Sequence, residues 1–270
     1  MLKLMLLTSN EDLIKNAMNV GVDRIFLDLE YINKAERQKG RDTVKSTNSL
    51  EDIKRIRPLV PFGKLLVRIN PIHGNTKYEI DKAIEYGADI IMLPMFSEVE
   101  EVQKFLEYVG GRCKTCLLFE TSQSLARMDD ILDLHGIDEG YIGLNDLHIS
   151  LGLDFMFEIL SSGLVDYMAS KFKEHKIPFG FGGMGKIGEG LLPAELILCE
   201  HYRLGSESVI LSRTFRNEVG SNNSNLDLKK EINRIREKEE LFEKYSDVDY
   251  LNNLTKVKKC VRTIVDGLRK

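Results

Sequence analysis

The sequence predicts a (β/α)8 barrel, the TIM barrel, with an additional C-terminal helical extension. Three observations carry that reading. Eight short apolar runs alternate with helix-length segments between residues 3 and 211. None of the internal runs alternates cleanly between apolar and polar residues, so both faces look covered, as parallel strands require. Eight such units in roughly 215 residues is the size of this barrel. A doubly wound open sheet shares the same alternation and is the competing fold.

The elements follow in order. Residues 3–7 read as the first strand, and Ser9 or Asn10 caps a helix over 11–20 that Gly21 ends. The second strand is 24–30, followed by a polar loop over 31–48 and a helix near 50–57. The third strand, 64–70, stops at Pro71, and a helix over 76–86 stops at Gly87. The fourth strand, 89–93, stops at Pro94; Val99, Val102, Phe105 and Leu106 then mark a helix over 97–109. The fifth strand, from Thr115 and ending in Glu120, and the sixth, from Tyr141 and ending in Asn145 and Asp146, flank a helix over 124–134. Helical material over 153–175 breaks at Ser161-Ser162-Gly163. The seventh strand is 177–181 and the eighth 208–211, with a helix over 191–203 between them.

Residues 1–215 thus form the barrel core. Residues 216–270 hold an Asn/Ser/Gly-rich loop, a charged helix over 226–245 that can close the barrel, and a surplus amphipathic segment over 248–268. That last segment can pack on the barrel bottom or on a neighbouring subunit.

Bulk properties narrow the function. A 270-residue chain with 43% hydrophobic residues buries one large core or two small ones. A net charge of −4 gives no electrostatic case for nucleic acid or an anionic membrane. No apolar run reaches the ~20 residues of a membrane span, and Met1–Leu7 lacks the features of a signal segment, so the expected location is the cytoplasm. Cys113 and Cys116 form a lone C-x-x-C with no second pair, which reads as ordinary reduced thiols.

Reactive groups in such barrels sit at the C-terminal ends of the strands. There the sequence places Asp28 and Glu30, Arg68 and Asn70, Glu120, Asn145 and Asp146, and Ser212 and Arg213. Glu120 and Asp146 each end an apolar run, about one helix apart. Two carboxylates with no His or Cys pair nearby suit a hard divalent cation that keeps some waters. Helix capping by each acid is the competing reading. A cation there could bind a 2-oxo acid and polarise its keto oxygen, with Arg68 adding fixed positive charge. Asp28 and Asn70 are candidate substrate contacts. So are Gly182, Gly183 and Lys186, in a glycine-rich stretch after strand seven that offers N–H groups to a phosphate or second carboxylate. A mobile loop is the alternative for that stretch, and an Arg68–Glu30 salt bridge the alternative for part of the acid cluster.

Val67-Arg68-Ile69-Asn70, Gly87–Pro94, Phe119-Glu120-Thr121 with Leu125-Ala126, and Gly143–Leu147 with Leu151-Gly152 follow one another in order along the chain. In these motifs the sequence resembles the HpcH/HpaI aldolase and citrate lyase β-subunit superfamily. The resemblance extends to Leu27-Asp28-Leu29-Glu30 followed by Lys34 and Arg37, which is closer to the citrate-lyase branch. It spans residues 20–215. It implies a phosphoenolpyruvate/pyruvate-type barrel, trimeric or hexameric, using Mg²⁺ or Mn²⁺ to make or break carbon–carbon bonds through an enolate. It assigns Glu120 and Asp146 to the metal and Arg68 to the substrate. Glu30 matches the acid after strand two.

Where the aldolase branch has a histidine and the citrate-lyase branch a second acid, this chain has Tyr31. The proton-transfer group is then Glu30 or, second, the loop residue His148. The expected activity is a metal-dependent (class II) aldolase or lyase acting on a 2-oxo acid and an aldehyde or acyl-thioester. A citrate-lyase-type acyl-CoA lyase and a non-catalytic metabolite-binding barrel are the alternatives.

Overall fold

Runs of Leu, Ile, Val and Met form eight parallel strands that pair in sequence order and close on themselves. They are β1 (Lys3–Leu7), β2 (Arg24–Asp28), β3 (Leu65–Arg68), β4 (Ile90–Leu93), β5 (Lys114–Phe119), β6 (Glu139–Ile142), β7 (Phe179–Met184) and β8 (Ser208–Leu211). The computed structural model describes residues 1–32, 48–215 and 224–269. The helices are α1 (Glu11–Asn19), α2 (Leu50–Ile56), α3 (Thr76–Glu85), α4 (Val99–Val109), α5 (Ser122–Ala126), α6 (Met128–Leu132), α7 (Leu144–Ser150), α8 (Glu158–Ser161), α9 (Leu164–Glu174), α10 (Ala194–Leu204), α11 (Ser224–Phe242) and α12 (Asp247–Leu268).

Alternation along each strand sorts side chains into two layers. Met5, Phe26, Leu66, Ile90, Met92, Cys116, Leu118 and Tyr141 fill the barrel interior. Their neighbours, such as Leu4, Ile25, Leu65, Ile91 and Leu117, pack under the helices in a second, larger core. The inward parity of β2 therefore stacks Arg24 at the bottom, Phe26 in the middle and Asp28 at the top. This parity selects which polar residues reach the C-terminal rim.

α11 serves as the eighth helix. Its Glu239 accepts from the Leu2 amide at 2.6 Å and from the Tyr202 hydroxyl at 3.0 Å, and its Arg236 donates to the Leu2 carbonyl at 2.8 Å. α12 lies on the flank of the barrel, against α10 and α8, and not across its bottom. Asn253 fixes it there, donating to the Leu196 carbonyl at 3.0 Å and to the buried Glu200 at 2.8 Å.

Four expectations need correction. The helix over 124–134 is two short helices, because Arg127 leaves helical geometry (φ −105°, ψ 16°). Asn145 and Asp146 do not end β6, which stops at Ile142; they sit in the first turn of α7. His148 is on that helix, and not in a loop. Gly182 and Gly183 lie inside β7, which runs on to Met184, and not in a loop after it. β7 carries a register shift between Gly180 and Gly183. Tyr141 explains it from inside the barrel: its hydroxyl lies 2.6 Å from the Gly182 carbonyl and accepts from the Ile210 amide at 2.9 Å. At Gly182 the φ of +61° favours glycine, and a Cβ there would press on the Leu144 methyl at 2.9 Å.

Candidate active site

Asp28 and Arg68 are register partners on adjacent parallel strands, so their side chains emerge side by side at the top of the barrel. Asp28 grips Arg68 with both oxygens: Nε donates to Oδ1 at 2.9 Å and Nη2 to Oδ2 at 2.8 Å. Glu30 Oε2 lies 3.3 Å from the same Nη2. The Glu30 amide donates to Asp28 Oδ1 at 3.1 Å, which ties the segment after β2 to the same carboxylate. Burial alone would push the Arg68 pKa down. Asp28 and Glu30 outweigh burial, Glu120 adds to them, and the guanidinium is held well above its ordinary value. Arg68 is therefore a fixed cation in one orientation, with Nη1 making no hydrogen bond among the described residues.

Glu120 follows β5 and is 3% exposed. Two features fix its carboxylate. The Met95 amide donates to Oε1 at 3.1 Å. Met95 holds a left-handed backbone (φ 55°), uncommon for a residue with a side chain, just past the end of β4. On the other side is Gly143, where an added Cβ would sit 2.8 Å from both Cβ and Oε2 of Glu120. The carboxylate thus occupies the space that a side chain at 143 would fill. Asp146, partly buried, lies one turn further along α7.

Glu120 and Asp146 offer hard oxygen donors only, and Oε2 of Glu120 lies against Gly143. That donor set fits Mg²⁺ or Mn²⁺, with the remaining positions left to water or substrate oxygens. Among the described residues no group of three or more His, Cys, Asp or Glu side chains converges on one point, so the candidate centre is this pair.

Asn70 does other work. Its Oδ1 accepts from the Tyr31 and Ile32 amides at 3.0 and 3.1 Å, and its Nδ2 donates to Glu79 at 2.8 Å. Asn70 thereby clamps the chain after β2 at the rim, and Tyr31 itself points outward at 66% exposure. Burial raises the pKa of Glu79, its anchor. His148 is buried, with Nδ1 donating to the Leu144 carbonyl at 3.2 Å. Lys186, partly buried, follows β7 at the same rim; Ser212 and Arg213 follow β8. Lys34 and Arg37 lie outside the described residues. Met95 and Gly143 were missed by sequence reasoning. For Met95 nothing in the residue type signals the backbone; for Gly143 the signal was a glycine immediately after a strand and beside a rim acid.

A family model described as HpcH/HpaI aldolase/citrate lyase matches residues 2–156. The chain belongs to this family. Three solved structures resemble the fold of this chain at low identity. An HpcH/HpaI aldolase from Desulfitobacterium hafniense DCB-2 is 13% identical, with TM-score 0.58 over 77% of this chain and 85% of the other. Citrate synthase SbnG is 14% identical, with TM-score 0.60 over 86% and 94%. An HpcH/HpaI aldolase/citrate lyase family protein from Burkholderia cenocepacia J2315 is 13% identical, with TM-score 0.58 over 87% and 93%. At such identities they speak to the fold. No curated protein sequence matches the chain. No described helix is long and apolar enough to cross a membrane.

Proposed function

We propose that this HpcH/HpaI-family barrel is a divalent-metal-dependent carbon–carbon lyase or aldolase that works through the enolate of a 2-oxo acid such as pyruvate. The observation that carries the reading is the pairing of two preset groups on one rim. Arg68 is oriented by Asp28, and Glu120 is fixed between the Met95 amide and the Gly143 gap. A divalent ion held by Glu120 and Asp146 would supply Lewis acidity toward the substrate's keto oxygen.

The chain's own groups do the rest. Arg68 receives the charge that develops on the keto oxygen, and its fork needs no reorientation at that moment. Asp28 is a positioning residue, because its oxygens are taken up by that fork. Glu30, 3.3 Å from the guanidinium, is the first candidate to move the proton at the carbon next to the carbonyl, and His148 Nε2 the second. Lys186 offers a cation to a phosphate or second carboxylate on the substrate. The acyl-CoA reading drew on Asp28, Glu30, Lys34 and Arg37, and it enters as an arm of the same experiment. The cytoplasm and a homo-oligomer complete the proposal; Leu251→Asp on the exposed side of α12 leaving the assembly unchanged in sedimentation would remove α12 from that interface.

The test is proton NMR of the pyruvate methyl group in D₂O with Mg²⁺ or Mn²⁺, and with acetyl-CoA in parallel. Metal-dependent loss of the methyl signal, absent in Glu120→Gln, is the expected result. Exchange of acetyl-CoA alone would favour the thioester lyase. No exchange of either, with metal bound, would favour a barrel that binds a metabolite without turning it over.

A further inference from the structure

A cavity of about 1040 Å³ opens at the opposite, N-terminal end of the barrel, below β4 and β5. Its volume is that of a small-molecule site. The N-terminal face of these barrels ordinarily serves stability, and catalysis belongs to the other face. Ile84, Ala88, Ile90 and Leu106 supply apolar wall. Phe62 lines it as well, yet is 94% exposed on the short connection before β3. A phenyl ring left in water beside an apolar cavity is costly unless something covers it.

The lining carries three cationic side chains against two acids, and both acids are hydrogen-bonded within the fold. Asp89 binds Arg57 at 2.6 Å and the Leu65 amide at 2.9 Å. Asp138 accepts from the Thr115 amide at 2.8 Å, with the Thr115 hydroxyl at 3.2 Å. Arg57 also donates to the Gly87 and Val60 carbonyls, and Arg112 is held by Asp81 and the Tyr108 carbonyl. Cys113 is no anion either, because burial pushes its thiol up to about 11. Lys114 and His135 remain, and neither has a side-chain partner among the described residues. Apolar walls with one uncommitted ammonium are complementary to an apolar molecule that carries one negative charge.

We propose that this cavity is a second ligand site, distinct from the rim, for a hydrophobic carboxylic acid. The carboxylate pairs with Lys114 and accepts from His135 in its donor tautomer. The apolar body lies against Ile84, Ala88 and Leu106 and covers Phe62. The proposal stands independently of the metal-site reading, since it uses none of the rim residues.

The probe is 2-naphthoate, with the neutral isostere 2-naphthamide as control, titrated calorimetrically into the full chain. Saturable one-to-one binding of naphthoate, tighter than the amide, is expected. Lys114→Glu should weaken naphthoate by about two- to fivefold while leaving the amide unchanged, as loss of one exposed ion pair does. Phe62→Ser should weaken both. Saturating pyruvate and Mg²⁺ should displace neither. Absence of saturable binding, indifference to both substitutions, or displacement by pyruvate would each overturn the site. So would a change of sedimentation in Phe62→Ser, which would make this face a contact between copies of the chain.

Discussion

Gly143 is the residue on which the metal reading can be tested most sharply. Its φ of −83° is open to any residue, so Gly143→Ala strains no backbone. The only cost is space: the new methyl would lie 2.8 Å from Glu120 Cβ and Oε2. Glu120 must then turn away or the β5–β6 rim must spread. The expected result is Mn²⁺ binding weakened by about tenfold or more, the range seen when a group that orients a metal ligand is altered. Electron paramagnetic resonance of free Mn²⁺ reads this directly, without turnover. Unchanged affinity would take Glu120 out of the metal site. Arg68→Lys tests the other half. Lysine cannot reproduce the two-pronged bond to Asp28, and its ammonium is free to wander. Methyl exchange should fall roughly 10²–10³-fold, the scale for loss of a preset oxyanion donor, with Mn²⁺ affinity nearly unchanged. A variant with ordinary exchange would mean that only charge, and not orientation, matters at position 68. The fork itself was only half legible in the sequence. A pairing of Arg68 with Glu30 was foreseeable from rim position, but the stronger hold by Asp28 follows from register, which fixes Asp28 opposite Arg68.

Helix α10 carries a polar load that its sequence does not advertise. His201 is fully buried and stacked on Phe181, with centroids 3.7 Å apart. Its Nδ1 meets the Ser206 hydroxyl at 2.8 Å, and its Nε2 is buried with no hydrogen-bond partner among the described residues. Burial lowers its pKa to about 3. An unfolded histidine titrates near 6.5, so above that pH both states are neutral and the residue contributes no pH dependence. As pH falls below about 6.5 the unfolded chain takes up a proton that the folded one refuses. Stability is then lost at about 1.4 kcal/mol per pH unit until the buried ring itself protonates near 3. His201→Phe keeps the stack on Phe181 and removes the titration. Denaturant melts at pH 7 and pH 5 should show a smaller loss for the variant. Equal losses would place the acid sensitivity elsewhere. The elements themselves were largely readable, because eight apolar runs with Gly and Pro punctuation leave few alternatives. The misreading of β7 has a local cause. Gly180–Gly183 looks like a loop because glycine has low strand propensity, but a Cβ at Gly180 would lie 2.2 Å from the Ser208 hydroxyl and 2.6 Å from Tyr141, so that position needs glycine within the strand.

At the scale of the molecule, the two ends of the barrel are built on different principles. The C-terminal rim keeps Arg68 among the acids Asp28, Glu30 and Glu120. The N-terminal end closes with one ion pair. Arg24 starts β2 and Glu139 starts β6, four strands away in either direction around the closed sheet, so their bond spans the barrel's diameter. Nη1 meets Oε2 at 2.5 Å and Nη2 meets Oε1 at 2.6 Å, and both residues are buried. Burial disfavours the guanidinium charge, but Glu139 outweighs it and the Arg24 pKa rises. A buried pair of this kind stabilises little relative to an apolar replacement, yet breaking it strands a charge. Glu139→Gln should therefore cost about 3–5 kcal/mol in urea unfolding, whereas Arg24→Met with Glu139→Leu should be close to neutral. The comparison separates two roles. If the double variant keeps both stability and rim chemistry, the pair merely fills the floor beneath the Phe26, Leu66 and Tyr141 layer. If it keeps stability but loses methyl exchange, the bridge sets the strand register that brings Asp28 beside Arg68 at the far end. The strands are only four to six residues long, so a floor that shifts by one residue would turn Asp28 out of the barrel and leave Arg68 without its fork.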